Sequence, residues 1–422
     1  MKLTLQISLV LLIYLCTSCN TSYEKDDTLS MIQIVDRSGT QETINQKEKL
    51  KRFENINFCD PQPYQKVTRV LSKNTKHQQK SVITTYHENG MINEYLETLA
   101  QRANGSYKEY YPNGNIKIEG TVVEGIADVS ESAKASFIFD GICKVYYPDN
   151  TLMVTMQYSK GKLEGESIYY HTNGNLKKRL TYREDLLHGR AEVFDENGKI
   201  LGFTEYRLGI KHGKHVYFGD TVTPPFEESY DEGLLMQGLY HDDKEQKISE
   251  IKNGFGLQVV FSCDRQKKEI EYRKGLPEGK VSTYYPSGNL QSVYFLKNAA
   301  KHGEEWIYFD NSKEIPKLFL QWYQDELHGS QKSWYENGHL ESQKEMIHNQ
   351  KHGQLIAWYI SGEVMLIEEY ELGKLKEGEY FSKNSQERVS FVKSGKGMAT
   401  LYDPEGFFLH KISYDKGEIM HE

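Results

Sequence analysis

Five histidines stand directly before a glycine at recurring positions: His188, His212, His302, His328 and His352. Imidazole is a common metal ligand and titrates near neutrality, so a file of histidines could hold an ion or move protons. A metal site, however, needs ligands that converge in number and geometry. Glu164, Glu278 and Glu377 take the same place before glycine in other segments. We therefore expect this position to hydrogen-bond to the neighbouring segment, and no metal is assigned. The other acidic residues are scattered, without the paired carboxylates of general acid–base catalysis. There is no G-x-S-x-G, no P-loop and no H-E-x-x-H, and Gly395-Lys396-Gly397 reads as a turn. The expectation is a non-enzymatic chain with no cofactor.

The elements that carry these histidines repeat. In Leu327 to Gly353 a Leu-His-Gly start rises to Trp334-Tyr335, turns at Glu336-Asn337-Gly338 and descends to the next His-Gly. Two short apolar runs joined by Asn-Gly read as a β-hairpin, because both residues of that dipeptide tolerate the positive φ of a tight turn. The second member of an aromatic pair marks the phase at Tyr86, Tyr111, Tyr147, Tyr170, Phe194, Phe218, Phe261, Tyr285, Phe309, Tyr335, Tyr359, Phe381 and Tyr402. Most intervals are 21 to 26 residues, with a degenerate unit at Leu239-Tyr240, and a fixed period of this size marks a repeat array. The fold class expected is all-β, an elongated array of consecutive antiparallel hairpins over residues 81–422. A second glycine closing each unit (Gly165, Gly213, Gly329) is read as a sharp reversal. Val122 to Ala135 is read as an inserted loop hanging off the array.

Adjacent residues on a strand face opposite sides. The second aromatic is therefore expected to be packed and the first partly exposed. Tyr110, Tyr146, Tyr169, Tyr217, Tyr284, Tyr308, Trp334 and Trp358 become candidates for a binding face.

Ahead of the array, Lys2 and the apolar run Leu3 to Leu15 have the length of a signal-peptide core rather than a membrane span. The small residues before Cys19 resemble a bacterial lipobox. Residues 1–18 are read as a lipoprotein signal and Cys19 as the lipidated residue. Residues 19–80 are read as a tether and irregular start, with strands expected at Met31–Val35 and Tyr64–Leu71. The reading places the protein at a bacterial cell envelope, on the outer membrane. Thirty tyrosines and thirty-four glycines against ten prolines suit Tyr-rich strands and Gly-rich turns. A net charge of −8 with mixed signs argues against nucleic acid as a partner. Cys59, Cys143 and Cys263 lack C-x-x-C spacing and imply no disulfide framework.

Units in which His-Gly leads to a Tyr pair and then to Gly-x-Leu, as in Leu327 to Leu340, Lys301 to Phe309 and Gly165 to Leu176, resemble the MORN-variant repeat. The resemblance implies a hairpin array serving as a scaffold. Bacterial proteins of this kind are commonly assigned as antitoxin components of toxin–antitoxin modules. Two functions follow. One is an envelope-anchored scaffold binding a protein or glycan through its aromatics. The other is an antitoxin or immunity protein that sequesters a toxin.

Two outcomes test these readings. The mature protein should partition with membranes and carry acyl chains on Cys19. A Cys19→Ala protein that stays membrane-bound and normally processed would contradict the anchor. About fourteen hairpins adding roughly 10 Å each give an array on the order of 130 Å. A globule of this length would have a radius of gyration near ~22 Å. Small-angle scattering on residues 20–422 should give a value well above the globular one.

Overall fold

The computed structural model describes residues 28–74, 76–221, 223–262, 264–311 and 313–420. The leader run, Cys19 and Cys263 lie outside the described residues. Cys59 and Cys143 form no disulfide. The chain divides into two units, one ending at Lys199 and the other starting at Ile200. Both are built from short strands, each paired antiparallel to its neighbours in sequence, as the repeat requires.

In the first unit the sheet begins well before Ser81. Thr28–Asp36 pairs with Gln65–Lys73, which pairs with Gln79–Tyr86. The two expected strands are thus present, and from Thr28 on this segment joins the sheet, with a helical stretch at residues 47–53 between its strands. Apolar alternation explains this, since Ile32 and Val70 face the same buried cluster as Ile44, Leu50 and Phe58. The short helix Lys47–Leu50 supplies Leu50 to that cluster. The insertion also differs from expectation. The strand Ile116–Glu124 runs on past Val122, and the excursion 125–137 carries the helix Glu131–Lys134. Val129 and Phe137 pack against Ile83, Leu96, Ala103, Tyr107 and Val122. Lys134 reaches Glu94 at 2.9 Å. The segment covers one sheet face instead of hanging free, because its own apolar residues have nowhere else to go.

The second unit holds two main clusters. One gathers Leu235, Tyr240, Ile251 and Val259, and the other Leu355, Leu366, Tyr370, Leu375, Tyr380, Val392 and Ala399. Leu235, Tyr240 and Ile251 recur as Leu375, Tyr380 and Val392, about 140 residues on.

Two kinds of turn alternate in both units, and neither is the one expected. At the Asn-Gly turns only the glycine is left-handed: Gly114 has φ +86°, and Asn113 is in the ordinary region. The Tyr111 carbonyl accepts from Gly114 N–H, and Tyr111 N–H donates to Asn115 O, both at 2.8 Å. This is a type I turn closed by a glycine bulge. Asn113 is there for its amide. Its oxygen accepts from Asn115 N–H at 3.0 Å, and its nitrogen donates to the Pro148 carbonyl of the next turn at 2.8 Å. The two-residue turns with both φ positive lie at the opposite ends, as at Glu184-Asp185 and Gln324-Asp325. Placing two non-glycine residues there costs roughly 1–2 kcal/mol each. The cost is offset by reciprocal bonds. Asp185 N–H donates to Leu163 O at 3.0 Å, and Leu163 N–H donates to the Asp185 carboxylate at 2.7 Å. Asp325 with Lys301 and Asn349 with Leu327 repeat the pattern.

The glycines after histidine are bulges inside strands, not reversals. Gly213, φ +94°, lies where pairing slips between Thr204–His215 and Tyr206–Lys211. The Glu205 carboxylate fills the gap and accepts from Lys214 N–H at 2.7 Å, so a Cβ on Gly213 would collide with it. Glu97, Glu271 and Gln321 do the same for Ser106, Lys280 and Ser330.

These turns also reset the aromatic phase. Aromatic residues that open type I turns include Tyr111, Tyr147, His171, Tyr285, Tyr335 and Tyr359, whereas Tyr170, Phe194 and Phe381 end strands. The second aromatics therefore mix two structural positions, and the expectation that all are packed fails. Tyr359 is fully buried and Tyr335 nearly so, yet Phe218 is 49% exposed. Tyr110, expected on the open face, is only 7% exposed. Tyr359→Ala should cost roughly 3–5 kcal/mol, and Phe218→Ala less than about 1 kcal/mol. Equal shifts in urea midpoint for the two variants would refute this phase assignment.

Candidate functional site

Two of the histidines before glycine, His212 and His352, are hydrogen-bond acceptors. Glu232 N–H donates to His212 Nδ1 at 3.3 Å, and Leu372 N–H donates to His352 Nδ1 at 3.4 Å. Glu164, Glu278 and Glu377 accept from Glu184, Asn298 and Ser394 N–H at 2.9–3.0 Å. Each donor opens the two-residue turn of the following hairpin, which is why His and Glu exchange at this position. His212, Asp231 and Glu232 place ligand atoms within 4.8 Å of one another. The site is open to solvent and His212 Nδ1 is already engaged. His328 instead meets His348 edge to face, with centroids 5.4 Å apart.

The opposite ends of the hairpins are stitched by the turn-opening rings. The hydroxyls of Tyr111, Tyr285, Tyr335 and Tyr359 donate to the carbonyls of Tyr146, Tyr308, Trp358 and Phe381 at 2.6–2.9 Å. Where the ring is His87, its Nε2 takes the same role toward Tyr110 O at 2.9 Å.

Two buried carboxylates were not singled out in the sequence. Glu228, 2% exposed, accepts from the Tyr230 and Tyr240 hydroxyls, Gln258 Nε2 and His215 Nδ1 at 2.6–2.9 Å. Burial would raise its pKa, but the bonds from His215, Gln258 and Tyr240 outweigh that and hold it at about 2. Burial pushes the Tyr240 hydroxyl far above its usual value, and the Glu228 charge adds to this. Glu368 repeats the arrangement with Tyr370 and Tyr380 at 3.0 and 2.7 Å. Lys351 sits 4.5 Å from the Tyr370 ring centroid, as Lys211 sits 4.7 Å from that of Tyr230. The repeated spacing of Lys211, Glu228, Tyr230 and Tyr240 at Lys351, Glu368, Tyr370 and Tyr380 was the available signal.

Seven of the eight candidate aromatics end strands, all but Tyr169, and their surroundings differ. Tyr110 is buried. Tyr146 and Tyr284 donate to Glu119 and Glu269 at 2.7 and 2.8 Å. Tyr217 bonds Asp220 and stacks on Phe226. Tyr169 pairs across from Lys178, and Tyr308 lies opposite Pro316. Trp358 contributes its carbonyl to Tyr335. Trp334 enters a concave surface, with Trp306 stacked beside it at 5.9 Å.

That surface is an open cleft of about 580 Å³. Phe309, Leu318, Trp334, Tyr335, Ile360 and Pro404 form most of its lining, and Glu336, Glu341, Glu405 and Lys317 its polar part. Ile360 N–H donates to Pro404 O at 3.1 Å, fixing the wall against the floor. Burial, with Glu341 and Glu405 nearby, pushes the Tyr335 hydroxyl up to about 12. The floor is held by the stitching bond from Tyr335, so the cleft follows from repeat packing.

The MORN repeat variant matches residues 103–124, 139–160, 163–184, 187–206, 277–298 and 327–348, so the chain carries MORN-type repeats in both units. No curated protein matches the chain. Among solved structures, one described as the eukaryotic initiation factor is 11% identical over 93% of this chain and 97% of its own, with a TM-score of 0.21. The Tc holotoxin pore of Photorhabdus luminescens is 13% identical over 83% of this chain and 18% of its own, with a TM-score of 0.15. Likeness at these scores carries no argument. Among the described residues no helix is long and apolar enough to cross a membrane, which does not bear on strands.

The Glu228 cage has a pH signature. A carboxyl held at about 2 when folded, against 4.5 as its ordinary value, adds stability above the ordinary value and loses it as pH falls toward 2. The stability gap between wild type and Glu228→Gln, read from urea midpoints, should narrow as pH falls from about 6 to about 2.5. A gap constant with pH would mean that Glu228 is not ionised in the folded protein.

Proposed function

We propose that this protein is a non-catalytic repeat scaffold, anchored at a bacterial envelope through Cys19, that binds a protein partner at the Trp334–Tyr335 cleft. The observation that carries the reading is the division of labour among side chains. The histidines, glutamates and turn asparagines that could have done chemistry are used between repeats, while an aromatic cleft in the second unit stays open to solvent. Concave apolar surface with a few polar groups at its edge is the usual form of a recognition site, and aromatics dominate the energetics of protein interfaces.

The test is capture from envelope extracts by immobilised residues 20–422, beside a Phe309→Ala/Trp334→Ala protein of unchanged fold by circular dichroism. A protein retained by the wild type and lost from the variant is the expected result. Capture unchanged by the variant would remove the cleft from the function, and no capture at all would remove the scaffold reading.

A further inference from the structure

We infer that the cleft recognises a basic side chain, arginine or lysine, carried on an extended segment of the protein partner. The inference rests on the scaffold reading and gives it a chemical class. Three carboxylates, those of Glu336, Glu341 and Glu405, stand against a largely apolar floor, with Lys317 the one cation of the lining. Lys317 is directed over the Phe309 ring, its Nζ 5.6 Å from the centroid. Lys383 approaches Glu405 at 3.6 Å. Glu336 and Glu341 have no salt-bridge partner among the described residues. The negative charge of the cleft is therefore only partly answered within the chain.

The floor selects among cations. Trp334, backed by Trp306 at 5.9 Å, offers an indole within the lining, and indole attracts a cation more strongly than any other side-chain ring. Tyr335 is fixed beside it by its hydroxyl bond to Trp358 O at 2.7 Å. A guanidinium can stack on a ring and donate to carboxylates in its own plane at once. An aliphatic stem would cover Leu318 and Ile360 as the charge reached the rim. An acidic or sulfated ligand would meet three like charges. A neutral sugar could stack on the indole but would leave Glu336 and Glu341 without a counter-charge.

The experiment uses residues 20–422 and three probes: capped tetra-arginine, capped tetra-glutamate and cellotetraose. Binding is followed by tryptophan fluorescence and calorimetry. Because the whole chain is acidic, Glu336→Gln/Glu341→Gln is compared with Glu196→Gln/Glu245→Gln, which removes the same charge at exposed turns outside the cleft lining. Tetra-arginine should bind saturably and change tryptophan emission. The cleft pair should weaken it by about five- to tenfold, and the distant pair should leave it nearly unchanged. Trp334→Phe, which keeps a ring, should bind more weakly than wild type and more tightly than Trp334→Leu. Equal weakening by both glutamine pairs would reduce the effect to general charge attraction and overturn the inference, as would binding of tetra-glutamate. Cellotetraose binding without tetra-arginine binding would overturn it in favour of a glycan. In each of these cases the envelope capture experiment still decides separately whether the scaffold reading stands.

Discussion

A two-stranded hairpin leaves polar groups at both turns and apolar surface on its faces, and it cannot satisfy either alone. In this protein the next hairpin satisfies them. At one end the Tyr335 hydroxyl reaches the Trp358 carbonyl. At the other, Glu164 accepts from Glu184 N–H. Each such bond contributes on the order of 1 kcal/mol, and stability of this architecture is close to a sum over neighbours. The composition of the turns follows from that dependence: Asn where an amide must reach a carbonyl, Asp or Asn where a left-handed turn must be held, and His or Glu where a backbone N–H needs an acceptor.

This dependence also narrows the functional search. Residues that look chemical in a list, His212, His352 and Glu164 among them, are acceptors for the following turn. The buried Glu228 and Glu368 look still more like catalytic groups, being desolvated and ringed by tyrosines. Four donors surround Glu228 and saturate it, while Glu368 is bonded by the Tyr370 and Tyr380 hydroxyls. So stabilised, Glu228 is a poor proton acceptor and a good pin between strands. The recurrence of the same cage about 140 residues later marks it as part of a duplicated structural block.

Surface available for recognition arises where the stitching leaves an aromatic partly uncovered. At Trp334 the strand ends, the turn opens with Tyr335, and the wall comes from Ile360 and the loop at Pro404. The concavity thus needs four separate stretches of the second unit, residues 309–318, 333–341, 360 and 404–405, and cannot be assigned to one repeat.

The sequence by itself determined the hairpin, its period and the strand class, since alternation of apolar residues and turn residues at fixed spacing are local signals. It also showed the shared role of His and Glu before glycine, because two residue types exchanging at one position point to a common hydrogen-bonding duty. The tertiary structure decided the rest. Tyr110 and Tyr111 look like one pair with Tyr169 and Tyr170, yet Tyr110 and Tyr170 end strands while Tyr111 opens a turn. A one-residue shift relative to the turn reverses which side a ring faces, and only the turn's hydrogen bonds fix that phase. Residues 122–135 read as a loop because the cover site that Val129 and Phe137 find on Leu96 and Tyr107 is distant in sequence. The cleft depends on Trp334, Ile360 and Pro404 meeting, and no spacing along the chain encodes that meeting.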